Sequence, residues 1–467
     1  MRVMSMSVKG LFGVFDHEIP LKNAERVTII HGPNGFGKTV MLRMIAAVAD
    51  GSRAIFENTP FNEFCLSLDD GTSRIIRRHL AEKPEGGPPV VELEFLFRDA
   101  GGALATVSTP ERTELPPLPE SVLHRIDKFV PSPLRVSEGG WVDGVSGRRY
   151  SVAQVLEKYP KAAAAVPAEY RGSFFFGTSE ELVVFFVETN RLGGGEPPGL
   201  DRGLSLDEQI RSELLFRNEL SHGDRPSRIV PRVKQYSEDI VQRIRFVLAD
   251  YAKHSQESDR TFPERLVRFE RDGYSALPER DILDQMAELE TKRRRLITLG
   301  LLDSETGLRD LTEEDLHRAR EALTIYVRDV QEKLKVFDDI AHRIGSLMDI
   351  VNDRFKYKHL RIDRMRGFRV LSDQDEASIQ IEDLSSGEQH ELVVLYELLF
   401  RAPKNGLVLV DEPEISLHVA WQSRFLSDLI GILRLTDAYA IVATHSPVII
   451  GTRQDLTVEL KGPAVAR

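Results

Sequence analysis

A glycine-rich run that ends in lysine and threonine is suited to holding phosphate. Gly32-Pro33-Asn34-Gly35-Phe36-Gly37-Lys38-Thr39 fits the pattern G-x-x-x-x-G-K-[ST]. Its glycines let backbone N–H groups turn inward around a phosphate chain, and a helix starting at its end adds partial positive charge. Lys38 is then placed to reach the outer phosphates and the Thr39 hydroxyl to ligate Mg²⁺. Far along the chain, Asp411 and Glu412 close the apolar run Leu407-Val408-Leu409-Val410. Two carboxylates at a strand end suit two roles: Asp411 holds Mg²⁺ through water, and Glu412 orients or deprotonates an attacking water. His445 follows the apolar run Tyr439–Thr444 and can hydrogen-bond a terminal phosphate. Ser385-Ser386-Gly387-Glu388-Gln389 offers hydroxyls and a glycine N–H at a helix start, which is an anion site. The same residues spell a capping box, with Ser385 or Ser386 as N-cap and Glu388 or Gln389 near N3.

Groups of this kind need a buried parallel sheet to hold them at one edge. Arg26-Val27-Thr28-Ile29-Ile30 reads as such a strand and Val40–Val48 as the helix after the loop. Arg2–Leu21 reads as two strands around a turn at Gly10–Gly13. Cys65–Leu68 and Ser73–Arg78, joined through Asp70-Gly71, read as a hairpin, and Val90–Phe97 with Ala103–Val107 as another. These form an antiparallel β-subdomain inserted after the first helix. Residues 111–170 are broken by Pro and Gly, with a helical piece at Val152–Tyr159, and Trp141 among glycines is a structural anchor or a contact site. Phe174–Phe176 and Leu182–Val187 read as buried strands. The second leads into a polar cluster containing Asn190, the position where open α/β sheets place ligand contacts.

Ser205–Phe355 is helical and charged. Leu316, Ala319, Leu323, Tyr326, Val330, Phe337, Ile340, Ile344, Leu347 and Val351 keep a/d spacing over about five heptads with one break, at Lys333, and span roughly 50–55 Å if helical. This implies a lobe with a short antiparallel coiled coil, or a plain helical bundle. Arg361–Ile381 reads as strands, and an amphipathic helix is expected over His390–Arg401. The expected division is residues 1–200 for the first half of an α/β head, 201–357 for the helical lobe and 358–467 for the second half.

Composition sets outer bounds. The 467 residues carry a net charge of −11, so any DNA site must be a local basic stripe. Arg74, Arg77, Arg78 and Lys292-Arg293-Arg294-Arg295 are the candidates. The single cysteine, Cys65, excludes a disulfide framework or a paired-cysteine zinc hook within the chain, and a buried inert thiol is expected. Neither a run of about eighteen apolar residues nor a signal-peptide pattern is present, which points to a cytoplasmic protein away from the membrane.

In order, these motifs resemble those of ABC-type P-loop ATPases of the SMC/RecF/OLD class. The resemblance rests on residues 1–47 and 383–448, and the rest matches in layout only. It implies ATP and Mg²⁺ as cofactors and an α/β ABC-type ATPase head, a mixed sheet plus an antiparallel β-subdomain, with an inserted helical lobe. It also implies that Gly32–Thr39 is Walker A, Ser385–Gln389 the signature, Asp411 and Glu412 Walker B, Ser416–His418 the D-loop and His445 the switch histidine. The family's nucleotide-sensing glutamine has Asn190 in its place, a departure in residue type for which Gln389 could substitute. The family works as a head-to-tail pair, in which one subunit's signature caps the ATP held by the other.

The motif set with a short helical lobe also resembles the ATPase subunits of anti-phage systems such as Septu, PARIS and ATPase-linked retrons. That implies an oligomer that regulates a separately encoded effector protein, often a nuclease. A RecF-like ATPase clamping DNA is the alternative. A transporter subunit is a poor match, because the motifs are split between residues 39 and 385. OLD-type chains continue into a nuclease after the switch histidine, whereas this sequence runs only to Arg467, so any cutting is expected from a partner.

Overall fold

The computed structural model describes residues 1–50, 52–81, 90–106, 123, 134–137, 140–143, 149–151, 182–188, 229–271, 273–303, 312–415, 417 and 419–462. The expected pieces Val152–Tyr159 and Phe174–Phe176, together with Asn190, Ser416 and His418, lie outside them. The chain forms two compact units. The first takes residues 1–223 and 402–467, and the second residues 224–401.

The first unit opens with β1 (Val3–Leu11), β2 (Phe15–Pro20) and β3 (Val27–His31), then α1 (Lys38–Asp50) and α2 (Ala54–Asn58). Next come β4 (Glu63–Leu68), β5 (Ser73–Ala81), β6 (Val90–Arg98), β7 (Leu104–Thr106), β8 (Leu134–Ser137), β9 (Gly140–Asp143), β10 (Arg149–Ser151) and β11 (Val184–Glu188). Among the described residues, one antiparallel sheet runs β2-β1-β4-β5-β6-β7 and a smaller one β10-β9-β8. Alternation along β2 and β4 turns every second residue inward, and Gly71, at φ +82°, makes the β4–β5 turn. Trp141 on β9 is fully buried and is an anchor, not a contact site. Cys65 is half-buried on β4, and burial pushes its thiol pKa up.

The second unit holds α3 (Ile229–Val267), α4 (Glu279–Thr298), α5 (Glu313–Arg318), α6 (Arg320–Lys335) and α7 (Asp338–Arg354). They are followed by β12 (Lys358–Asp363), β13 (Gly367–Ser372), β14 (Ser378–Ile379) and α8 (Ser386–Tyr396). The chain then returns to the first unit as β15 (Leu407–Asp411), α9 (Val419–Thr436), β16 (Tyr439–Thr444), α10 (Pro447–Ile450) and β17 (Thr457–Glu459).

The parallel sheet of the first unit runs β11-β15-β16-β3-β17. Every residue of β15 and β16 is buried, which is why both read as continuous apolar runs. Ile30, Leu407, Leu409, Ile441 and Ala443 of this sheet share a core with Met41, Leu42 and Ile45 of α1 and Met6, Val8 and Phe64 of the antiparallel sheet. The fold is thus an ABC-type ATPase head.

In the second unit two expectations are corrected. The a/d stretch from Leu316 is not one helix: it breaks at Ala319 and again at Val336-Phe337, giving α5, α6 and α7. α6 packs against both α3 and α4, the arrangement of a bundle. The longest helix is α3, about 58 Å at 1.5 Å per residue. The second correction concerns α8, which is not amphipathic. Gln389 to Phe400 are all buried, and the last residues, Glu397–Arg401, wind as a π-helix. Its polar residues have partners distant in sequence. Glu391 pairs with the buried Arg354, Tyr236 donates to Glu397, and Tyr396 donates to Asp239.

Candidate functional site

Chain direction sets the site. In parallel strands the C-terminal ends lie at one edge, and here they are in register. Glu188 pairs with Asp411, Asp411 with Ala443, and Thr444 with His31. The ends of β3, β15 and β16 therefore bring the Gly-rich loop, the carboxylates and His445 to one edge of one sheet, where such folds bind ligands.

Between β3 and α1, the crown Pro33-Asn34-Gly35 is exposed. Gly35 and Gly37 hold φ of +86° and +85°, the left-handed region that favours glycine. Gly37 is constrained twice, because a Cβ there would lie 2.4 Å from Leu11 Cδ2. Beside Gly35 a Cβ would meet nothing within 4 Å, so the loop is open on that side. Lys38, the first residue of α1, is 5% exposed. Its ammonium donates to Gly32 O at 2.7 Å and Pro33 O at 3.1 Å. Two neutral carbonyls satisfy a buried ammonium less well than phosphate oxygens would.

The loop is braced from beneath by a residue that the motif search passed over. His17 on β2 is buried, and its Nε2–H donates to Phe36 O at 3.0 Å. Burial lowers its pKa, against the opposing pull of that hydrogen bond and of Asp16. Phe15 packs its ring on Phe36 at 5.0 Å and stacks on His17 at 5.6 Å. The signal was the inward parity that His17 shares with Ile19 on β2.

Thr39 Oγ1 donates to Asp411 Oδ1 at 3.1 Å. Burial raises the pKa of Asp411, and the Thr39 hydrogen bond opposes it. The charge of Glu412 pushes the same way as burial, while Arg43 and Lys38 pull back. A desolvated carboxylate beside a hydroxyl fits a divalent cation. Thr39 and Asp411 are the residues that would hold it.

Glu412 adopts φ +45°, an uncommon conformation for a residue with a Cβ, while its N–H donates to Ala443 O at 2.8 Å. Its Oε1 lies 4.0 Å from His445 Nδ1, whose side chain is 46% exposed. A second carboxylate, Glu414, lies closer to that ring nitrogen, at 2.9 Å.

The segment 385–389 belongs to the second unit. Ser385 is the N-cap of α8. Its hydroxyl accepts from Glu388 N, and Glu388 Oε2 accepts from Ser385 N at 2.9 Å, so the capping box forms with these two residues. Burial raises the pKa of Glu388, but hydrogen bonds from Lys358 and Ser385 outweigh it and hold the carboxyl below the usual range. Gln389 is 2% exposed and donates to Ile381 O and Leu384 O, both at 2.9 Å. Ser385 and Ser386 are exposed and Gly387 half-buried, so the three small residues form the accessible face of this turn.

Comparison with known proteins follows this geometry. Residues 175–451 match the profile of a family described as "AAA domain, putative AbiEii toxin, Type IV TA system". That span holds the signature, both carboxylates and His445, and begins after the Gly-rich loop. Protein ea59 of Escherichia phage lambda is 32% identical over 113 residues, 22% of this chain and 21% of that protein. The match thus spans about a fifth of the length of that curated relative. Two solved structures are similar at larger coverage and low identity. One is the Smc head domain with an extended coiled coil bound to the C-terminal domain of ScpA, derived from Pyrococcus furiosus, at 14% identity over 96% of this chain and 90% of that one, TM-score 0.30. The other is the SmcHead bound to the C-winged helix domain of ScpA, at 10% identity over 96% and 91%, TM-score 0.31. Likenesses that loose do not align individual residues.

Proposed function

We propose, because this chain belongs to the family of AAA domains described as putative AbiEii toxin, Type IV TA system, that it binds and hydrolyses ATP and uses the cycle to change its assembly with itself and with a separately encoded effector. The observation that carries the ATPase reading is the bond between Thr39 and Asp411, groups 372 residues apart in sequence, directly beside the buried Lys38 ammonium. Chance glycine turns do not bring a buried carboxylate to the hydroxyl that follows the lysine.

In this reading, backbone N–H groups of Gly35–Thr39 and the start of α1 take the phosphates. Lys38 exchanges its two carbonyl partners for phosphate oxygens, at little cost in reorganisation because its ammonium is already fixed. Mg²⁺, when bound, neutralises charge on the phosphates. Thr39 and Asp411 hold it. Glu412 accepts a proton from the attacking water as its oxygen bonds to the γ-phosphorus and the bond to the ADP oxygen breaks. His445 donates a hydrogen bond to the γ-phosphate. Ser385, Ser386 and Gly387 of a second copy cap that phosphate, so that bound ATP becomes part of a head-to-tail interface and hydrolysis removes it.

The family's description as a Type IV TA system toxin supports a two-component module in defence against phage over the DNA-clamp alternative. So does the state of four of the seven basic candidates. Arg77 pairs with Glu63 at 2.9 Å, Lys292 with Asp338 at 2.6 Å and Arg294 with Glu290 at 3.3 Å, while Arg74 is buried. Among the described residues no helix is long and apolar enough to cross a membrane.

The test is ATP binding and turnover in Lys38→Ala and Glu412→Gln, with capture of Glu412→Gln from its host. The expected results are a loss of affinity in the first and retained binding without turnover in the second. The captured complex should hold a stoichiometric protein partner with little nucleic acid. Turnover at the wild-type rate in Glu412→Gln overturns the base assignment. Bound duplex DNA without a partner moves the reading to a RecF/SMC-like clamp.

A further inference from the structure

The run Asp411-Glu412-Pro413-Glu414 contains a third carboxylate that neither the metal nor the water requires. Glu414 sits in the short turn after β15, with its side chain 7% exposed. A carboxylate that buried needs donors, and among the described residues they come from the end of β16. Thr444 Oγ1 lies 2.8 Å from both of its oxygens. The backbone N–H of His445 donates to Oε1 at 2.8 Å, and His445 Nδ1 lies 2.9 Å from the same oxygen. Gln422 on α9 ties the two segments again: its Nε2 donates to Glu414 O at 3.1 Å, and its Oε1 accepts from Ser446 Oγ at 3.3 Å.

A carboxylate cannot donate, so the His445 Nδ1 facing it carries the proton. Which ring nitrogen is protonated is set by the hydrogen bond that the other one makes. With Nδ1 committed to Glu414, Nε2 is the ring atom left for the nucleotide; the Nδ1 contact restrains the ring, and the backbone N–H bond fixes the main chain that carries it. Glu412 Oε1 is 4.0 Å from the same nitrogen, too far for a hydrogen bond, so Glu414 and not Glu412 is the carboxylate that holds the ring.

We propose that Glu414 is the positioning residue of His445. It fixes the tautomer and orientation of the ring, in the way that a carboxylate orients a catalytic histidine elsewhere. This rests on the ATPase reading above.

The test pairs Glu414→Gln, which keeps the shape and one accepting oxygen but loses the charge, with His445→Ala and with the double variant. ATP affinity and steady-state kcat are measured separately, with Glu412→Gln alongside. A positioning role lowers kcat in Glu414→Gln by roughly tenfold or more, leaves ATP affinity within about twofold, and adds nothing to His445→Ala in the double variant. Glu414→Asp, which keeps the charge, recovers part of the rate. Thr444→Val removes another donor to Glu414 but not the ring contact, and it keeps its turnover while melting at a lower temperature. The proposal is overturned by wild-type turnover in Glu414→Gln, by multiplicative losses in the double variant, or by a loss in Thr444→Val equal to that in Glu414→Gln. Absence of ATP turnover in the wild type would instead sink the ATPase reading itself, and wild-type turnover in Glu412→Gln only the assignment of the base.

Discussion

At the scale of single residues, the site concentrates groups that work against folding. Asp411 is a case with a sign that can be worked out. Its pKa is raised by burial, so the folded chain binds that proton more tightly than the unfolded chain does. Stability contributed by this group is therefore present below the unfolded pKa and is lost as pH rises through the folded one. Without nucleotide or Mg²⁺, Asp411→Asn should melt above wild type at neutral pH, with the gap closing as the medium is acidified. Thermal melts from about pH 4 to 8 check this, and a constant gap would remove the desolvation account. Gly37 offers a second case. Gly37→Ala meets both the left-handed φ and Leu11 Cδ2, and should weaken ATP binding and folding together; adding Leu11→Ala should restore part of the stability and, because φ is unchanged, not all of it. Lys38→Ala loses charge-assisted bonds of about 1.5–3 kcal/mol, so ATP affinity should fall roughly 10- to 100-fold with little change in melting. Isothermal titration reads the affinity and a thermal melt the stability.

At the scale of elements, α8 shows what sequence makes legible and what it hides. Its start was readable, because Ser-x-x-Glu before an apolar run is a local signal and needs nothing from the rest of the fold. Ser385→Ala should cost about 1 kcal/mol of second-unit stability in denaturant titration, since it leaves the Glu388 N–H uncapped. The burial of α8 on all sides was not readable. His390, Glu391 and Glu397 look like a polar face, yet Glu391 is 1% exposed against Arg354, and burial drives His390 down to a pKa of about 4. The partners of Glu391 and Glu397 lie on α7 and α3, far away in sequence, and no local pattern encodes them. The a/d stretch misled for a related reason. Spacing continues across a break whenever the next helix re-enters the same core, as α7 does after Phe337, which is itself fully buried. By contrast β3, β15 and β16 were legible strand by strand, because a strand covered on both faces must be apolar throughout. Glu414 was visible only as a second acid two residues after Glu412, and its meaning depends on β16 lying beside β15.

At the scale of the whole molecule, the candidate groups are divided between the two units: loop, carboxylates and His445 on one, signature on the other. In the head-to-tail reading, completion of a site depends on a second copy. Glu412→Gln with ATP and Mg²⁺ should therefore sediment as a dimer or larger species. Ser386→Arg, placed on the exposed face of the signature turn, should leave ATP affinity unchanged and abolish both that assembly and turnover. Analytical ultracentrifugation separates the outcomes, and full turnover in Ser386→Arg removes the composite site.

The order of the parallel sheet has a consequence for how the protein is made. The strand that leads into the Gly-rich loop, β3, is flanked by β16 and β17, both encoded after residue 438. A ribosome translating this message exposes the loop early and completes its supporting sheet last. Until then the strand has no hydrogen-bonded neighbour in that sheet, and the lysine has no Asp411 nearby. Nascent chains and products of premature termination are thus unable to assemble the nucleotide site. The topology withholds ATP from any molecule whose synthesis has not reached β16 and β17.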